Sequence, residues 1–236
     1  MNRIDHIRKE EKAYHDFCYD NYTLFEGGSW LHKPVSTVVE LLPLFASYKR
    51  VNVLDLGSGV GRNSIPIAEW IREADVLGKV VCVDLLDSAT EKLRTYAKQF
   101  HVSTLIEPIK STIESYYIKK SAFDFIVAVS SLEHVESEVA LHTVLKDMAA
   151  GTKSGGINCI IINSDLEEID VETSKKLDVK VEVNLSTEQM NHILENNYKG
   201  WTVLKSLVKQ LEYKITRGER EILLRTKAIT YVVKNN

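Results

Sequence analysis

No apolar run in this chain approaches the ~20 residues that a membrane-spanning helix requires, which excludes such a helix. Cysteine is scarce. Cys18, Cys82 and Cys159 form no C-x-x-C pair, which removes a thioredoxin-like redox motif and a cysteine-paired zinc site. Cys82 and Cys159 stand inside apolar runs and read as small buried hydrophobes. The odd number of thiols and the charged start Met1-Asn2-Arg3-Ile4-Asp5-His6, which lacks a signal peptide's apolar core, set the expectation of a reducing, cytoplasmic setting. No zinc spacing is present, since His134 and His142 stand eight apart without a paired Cys or Glu. No G-x-x-x-x-G-K-[ST] is present either, so triphosphate hydrolysis lacks its loop. Neither sign of charge dominates. The chain has 30 basic and 33 acidic residues, a net charge of −3, and implies no bulk attraction to nucleic acid. Pro, Gly and Ser never cluster into a linker, and no repeat is found.

What is present suits a folded α/β chain. With 236 residues, 44% of them apolar and 27% charged, the chain can build a substantial core. The expectation is one domain over 1–236, with a helical cap at 1–48, a core at 49–165 and a C-terminal helix and β-hairpin at 166–236.

The most informative stretch is Val53 to Ser64, V-L-D-L-G-S-G-V-G-R-N-S. An apolar run carrying one acid, Asp55, suits a buried parallel strand. Gly57, Gly59 and Gly61 follow at alternate positions and suit a turn lying against a ligand. Asn63-Ser64-Ile65-Pro66 opens a helix, and proline is tolerated in a first turn. Strand, glycine turn and helix are how α/β proteins bring backbone close to a nucleotide. The third glycine comes two residues after the second, where a dinucleotide loop has three, and this points away from a pyrophosphate cofactor.

A β–α alternation runs through the middle of the chain. Strands are predicted at 51–56, 80–85, 104–109, 123–129 and 157–163, and helices near 64–74, 88–100, 111–118 and 138–150. Strands separated by helices imply a parallel sheet, and their unbroken apolar runs imply cover on both faces. Residues 3–20 read as a helix, and a second helix runs from Pro34 to a stop at Pro43. Residues 164–180 are acidic and polar and read as a loop or lid. Ser186 with Gln189 forms a capping box for a helix to about 196. Residues 201–216 and 222–233 read as two strands joined at Arg217-Gly218.

Asp84 ends the second strand, 27 residues after Gly57. In a parallel sheet that places a carboxylate beside the glycine turn, where it can accept both hydroxyls of a ribose or else cap the next helix. NAD enzymes use the same acid, so Asp84 alone does not separate the cofactors.

Taken in order, V-L-D-L-G-S-G-V-G-R-N-S, V-C-V-D-L-L, F-D-F-I-V-A-V-S-S-L-E-H-V at 123–135 and G-G-I-N-C-I-I-I-N-S at 155–164 resemble successive motifs of class I S-adenosylmethionine-dependent methyltransferases. More narrowly, G-x-G-R-N-S and the segment 185–201 are similar to the tellurite-resistance TehB-type branch. The resemblance implies a Rossmann-like, seven-stranded methyltransferase sheet of five parallel strands plus a C-terminal antiparallel hairpin, with helices on both faces. It implies S-adenosylmethionine as cofactor. Gly57, Ser58 and Gly59 would approach its methionine part, with Gly61 completing the loop and Asn63 opening the helix behind it. Asp55 would face its amino group, Asp84 its ribose and Leu85 its adenine. Lys110 and Ser111 would border the adenine, where the family often has an acid. Val129, Ser130 and Ser131 would end the fourth strand beneath the methyl group.

The implied chemistry is in-line displacement, in which the protein aligns a nucleophile with the methyl group. If the nucleophile carries a proton, a base removes it. Glu133 and His134 are the candidates, and helix-start packing is the competing reading. Arg62 reads equally as a substrate contact or a solvated residue. Tyr19 and Trp30, flanking a glycine break, are candidate substrate residues, and aromatic faces also suit a sulfonium. Tyr14 and Phe17 read as packing residues. Lys214, Arg217, Arg220, Arg225 and Lys227 mark the hairpin's wet face or receive an anionic acceptor. The expected activity is methyl transfer to a small molecule, with neither membrane nor nucleic acid as partner. The alternatives are an RNA or protein methyltransferase, a non-catalytic S-adenosylmethionine-binding protein and an NAD(P) oxidoreductase.

Overall fold

The computed structural model describes residues 2–218 and 220–236. Five strands, β1 (Arg50–Leu56), β2 (Leu77–Asp84), β3 (Ile106–Lys110), β4 (Phe123–Val129) and β5 (Thr152–Asp170), pair in parallel. The short β6 (Lys176–Leu177) folds back on β5. The hairpin β7 (Thr202–Arg217) and β8 (Arg220–Lys234) completes the order β3-β2-β1-β4-β5-β8-β7, with β8 antiparallel to β5. The expected sheet of five parallel strands plus an antiparallel hairpin is therefore what forms.

The uninterrupted apolar runs are explained by cover on both faces. On β1, Val53 packs with one core and Leu54 and Leu56 with the other. The first core includes Leu24 and Leu31, α2 (Ser36–Leu41), α3 (Ser64–Glu73) and α4 (Asp87–Gln99). The second is closed by α5 (Glu138–Gly151) and α6 (Thr187–Asn197). The capping box predicted from Ser186 and Gln189 starts α6. Among the described residues no helix is long and apolar enough to cross a membrane.

Three local expectations fail. Residues 111–118 form no helix. The Thr112 hydroxyl accepts from the Ser115 amide (3.2 Å), so a side-chain turn takes the place of a helical one. Residues 164–170 are neither loop nor lid. They continue β5, paired with Ile222–Lys227 of β8, past a bulge at Ser164–Glu167. The helix expected from Pro34 starts at Ser36 and tightens into a 3-10 turn over Leu42–Phe45, with Pro43 inside that turn.

Helix α1 (Arg3–Asn21) is fastened in both of its halves. Arg8 pairs with Glu114 and Glu182, and Glu11 with Arg217 of the hairpin. Near its other end, Asp16 accepts from Ser88 and Asp20 pairs with Lys92 of α4.

Candidate functional site

The glycine turn lies where β1 ends beside β2 and β4. The amides of Gly57 and Ser58 both donate to the Val83 carbonyl (2.8 and 3.0 Å), and that of Gly61 donates to Ser58 (3.0 Å). The Gly59 amide donates to one oxygen of Asp84 (2.8 Å), and Leu86 N–H donates to the other (2.9 Å). The amides of Gly57, Ser58, Gly59 and Gly61 are thus used inside the protein. Below the turn, Asp55 is fully buried and accepts from the Ser64 hydroxyl (2.5 Å). Desolvation pushes its carboxyl up to about 7. Desolvation also raises Asp84, against the amides of Leu86 and Gly59.

Gly57 sits at φ 73°, and a Cβ there would lie 2.3 Å from Cβ of Ser131. Ser131 itself donates to the Leu56 carbonyl (2.7 Å) and locks the β4 end onto the β1 end. Its partner role had no signal in the sequence beyond its place after β4. Gly61 (φ 96°) turns the other way. A Cβ there would meet Leu93 at 2.5 Å, so this glycine serves the packing of α4 and not the ligand side. Asn63 is also turned inward: its carbonyl oxygen accepts from the Val35 amide (3.0 Å) and ties the N-terminal segment to the loop.

Residues before β1 cover this turn. The Tyr19 hydroxyl lies 3.0 Å from where a Cβ on Gly59 would stand. Tyr19 packs its ring against His15 and Trp30, and the Arg62 guanidinium lies 5.5 Å from the Trp30 ring centre. Phe17, read as a packing residue, is exposed instead. His15, not singled out in the sequence, joins the group, and burial lowers its imidazole.

Beyond β4, Ser130 takes φ 50° and its amide donates to Ile161 (2.7 Å). Glu133 is buried. One of its oxygens accepts from the Asn163 amide group (2.5 Å), while the other has no partner. Burial raises its carboxyl above the usual range. His134 contacts Glu182 (3.0 Å). Burial alone would lower this imidazole, but Glu182, Glu11 and Glu133 outweigh it and hold it up at about 9. The contact with Glu182 thus favours the charged imidazole. At the rim, Leu85 is exposed, Lys110 pairs with Asp87 (2.6 Å), and the Ser111 hydroxyl donates to Thr112 (2.9 Å). On the hairpin, Lys214, Arg225 and Lys227 pair with Glu221, Glu212 and Asp165, and Arg217 pairs with Glu11 of α1.

Four residues around the turn keep a buried polar atom without a partner: Ser58 Oγ, Arg62 Nε, Glu133 Oε2 and His15 Nδ1. Each such atom costs about 1–3 kcal/mol where no partner meets it. Residues 53–156 match the family model described as a methyltransferase domain. That methyltransferase match spans the glycine turn, Asp84 and the β4 end. It leaves out α1 and the hairpin. No curated protein matches the sequence. Among solved structures, an S-adenosylmethionine-dependent methyltransferase from Clostridium acetobutylicum aligns at 16% identity and TM-score 0.60, over 97% of this chain and 98% of that one. The YcgJ protein of Bacillus subtilis aligns at 12% and 0.60 (85% and 98%), and an S-adenosylmethionine-dependent methyltransferase of Methanosarcina mazei at 16% and 0.57 (86% and 98%). At these identities the likeness is one of fold.

Proposed function

We propose that this chain transfers the methyl group of S-adenosylmethionine to a small-molecule acceptor. The observation that carries the reading is the internal use of the amides of Gly57, Ser58, Gly59 and Gly61. A pyrophosphate needs free N–H donors at such a turn. Here the amides of Gly57, Ser58, Gly59 and Gly61 are engaged, and the buried acid Asp55 lies under the start of α3. Carbonyls and carboxylates accept from ammonium and hydroxyl groups, and S-adenosylmethionine carries both. The residues fit that cofactor: Ser58 Oγ is unpartnered, and Asp84 keeps lone pairs for a ribose.

In this reading Gly57, Ser58 and Gly59 hold the amino-acid part with Asp55 behind them, and Asp84 holds the ribose. Leu85 covers the adenine, with Lys110 and Ser111 at its rim and Val129 and Ser130 below the reacting centre. The cofactor supplies a methyl group on a sulfonium, whose departing sulfide needs no proton. The chain's task is then to exclude water, align the acceptor and, for a protonated acceptor, remove its proton. Tyr19, Trp30 and Arg62 face the acceptor side, and Glu133 is the base. A small acceptor is favoured by the cover that α1 places over the turn. Free thiols, all buried, suit a reducing cytoplasm. A TehB-like placement rests on G-x-G-R-N-S and 185–201 alone and carries no substrate.

Calorimetry with S-adenosylmethionine, its demethylated product and NAD tests the reading. Binding of the first two and not of NAD is expected, and the reverse sinks it. Asp84→Asn should weaken S-adenosylmethionine about 10- to 100-fold, the worth of a charged hydrogen bond. Unchanged affinity would remove the ribose assignment.

A further inference from the structure

Above the first core face, the strand extensions absent from the expected fold build a wall. Asn163 and Ser164 lead into the extended part of β5, and Thr226 stands opposite on β8. The Thr226 hydroxyl lies 3.3 Å from Asn163 Oδ1 and 3.1 Å from the Ser164 carbonyl. An ionised carboxylate only accepts, so it is the Asn163 Nδ2 that faces Glu133 and donates to its Oε1 at 2.5 Å, while Glu133 Oε2 stays buried and unpartnered. Asn163 and Thr226 are themselves buried. A buried chain of three polar side chains ending in one free carboxylate oxygen has no purpose in stability, because an orphaned oxygen costs free energy there.

We propose that Asn163 is a positioning residue that aims Glu133 Oε2 at a proton-bearing acceptor nucleophile, such as a hydroxyl, amine, imidazole or thiol, and not at a soft anion. The inference rests on the methyl-transfer reading above. In the step, the acceptor atom's lone pair forms the bond to the methyl carbon while the sulfur–methyl bond breaks and its electron pair stays on sulfur. The acceptor's proton passes to Glu133 Oε2 and later to solvent. A pre-ionised anion would have no proton to give, and the oriented carboxylate would only repel it.

The titratable groups facing Glu133 are few. His134 lies beside it, paired in turn with Glu182 and near Glu11 of α1, and Tyr213 approaches from β7. Burial raises Glu133, and the donors from Asn163 partly restore its charged form. Such a carboxyl is a stronger proton acceptor than an ordinary one.

The test follows labelled methyl transfer by the full chain to phenol, imidazole and 2-mercaptoethanol, with iodide and tellurite as soft-anion probes. Transfer to at least one proton-bearing probe is expected, falling about 100-fold or more in Glu133→Gln while S-adenosylmethionine affinity holds. Asn163→Ala should lose about 10-fold in kcat. Asn163→Asp, which sets a second carboxylate against Glu133, should move the acid limb of the pH–rate profile upward by about one unit or more. Thr226→Val, close in shape, should lower kcat and leave the acceptor KM near its value. Transfer confined to iodide or tellurite, no transfer to any proton-bearing probe, or an unmoved acid limb in Asn163→Asp would overturn the proposal. Loss of S-adenosylmethionine binding in the wild-type chain would instead remove the reading beneath it.

Discussion

At Gly57 two separate constraints meet, and they differ in kind. The positive φ penalises any Cβ through the residue's own backbone, and Ser131 penalises it through space. Gly57→Ala should therefore destabilise the fold by about 2–4 kcal/mol, measured by urea unfolding. Adding Ser131→Gly should recover only the spatial part. Full recovery, or none, would contradict this division. His134 makes a different prediction. Its folded value, about 9, lies above the ordinary histidine value near 6.5. A raised value stabilises the fold below the unfolded value, and that stabilisation fades as pH rises through the folded one. The stability lost in Glu182→Gln should be largest near pH 6 and should shrink toward pH 9 and above. A gap that widens with pH would reverse the sign of this pair.

Elements built on periodicity were legible, and elements built on tertiary pairing were not. The strands β1, β2, β4 and the helices α1, α3, α4, α5 and α6 announce themselves through apolar spacing and caps. Leu166, Glu167 and Glu168 favour helix in isolation, yet β8 offers them a ladder and wins. The chain over 111–118 looked helical from its place in the alternation, but Ser and Thr there bond locally. The site followed the same rule. Asp84, Gly57 and Glu133 could be placed from motif and strand order. Ser131, His15, Asn163 and Arg217 could not, because each matters through a partner distant in sequence. Arg217 shows this best. It bridges Glu11 of α1 and Glu168 of β5 at 2.8 and 3.1 Å, and Glu168 is almost fully buried. Arg217→Met should cost about 1–3 kcal/mol and speed hydrogen exchange across the N-terminal half of α1. Unchanged exchange there would show that the bridge fastens nothing.

Over the whole molecule, strand order decides where a ligand goes. The chain builds β1, β2 and β3 outward in one direction, then crosses back to lay β4 on the other side of β1. The crevice at that reversal lies beyond the carboxyl ends of β1 and β4, and the glycine turn, Ser131 and Glu133 are all found there. Tyr19 of α1 stands over Gly59 beside this crevice, and Thr226 of β8 backs it through Asn163. S-adenosylmethionine at 100 times its Kd should raise Tm by about 5–10 °C, from about 2.7 kcal/mol of linkage. NAD at the same concentration should leave Tm where it was.

The bonds from Gly57 and Ser58 to Val83 have a kinetic consequence. A turn already clamped to its neighbouring strand has nothing left to organise when a ligand arrives. The amides of Gly57 and Ser58 should therefore exchange slowly with or without a bound ligand, and any protection a ligand adds should appear elsewhere.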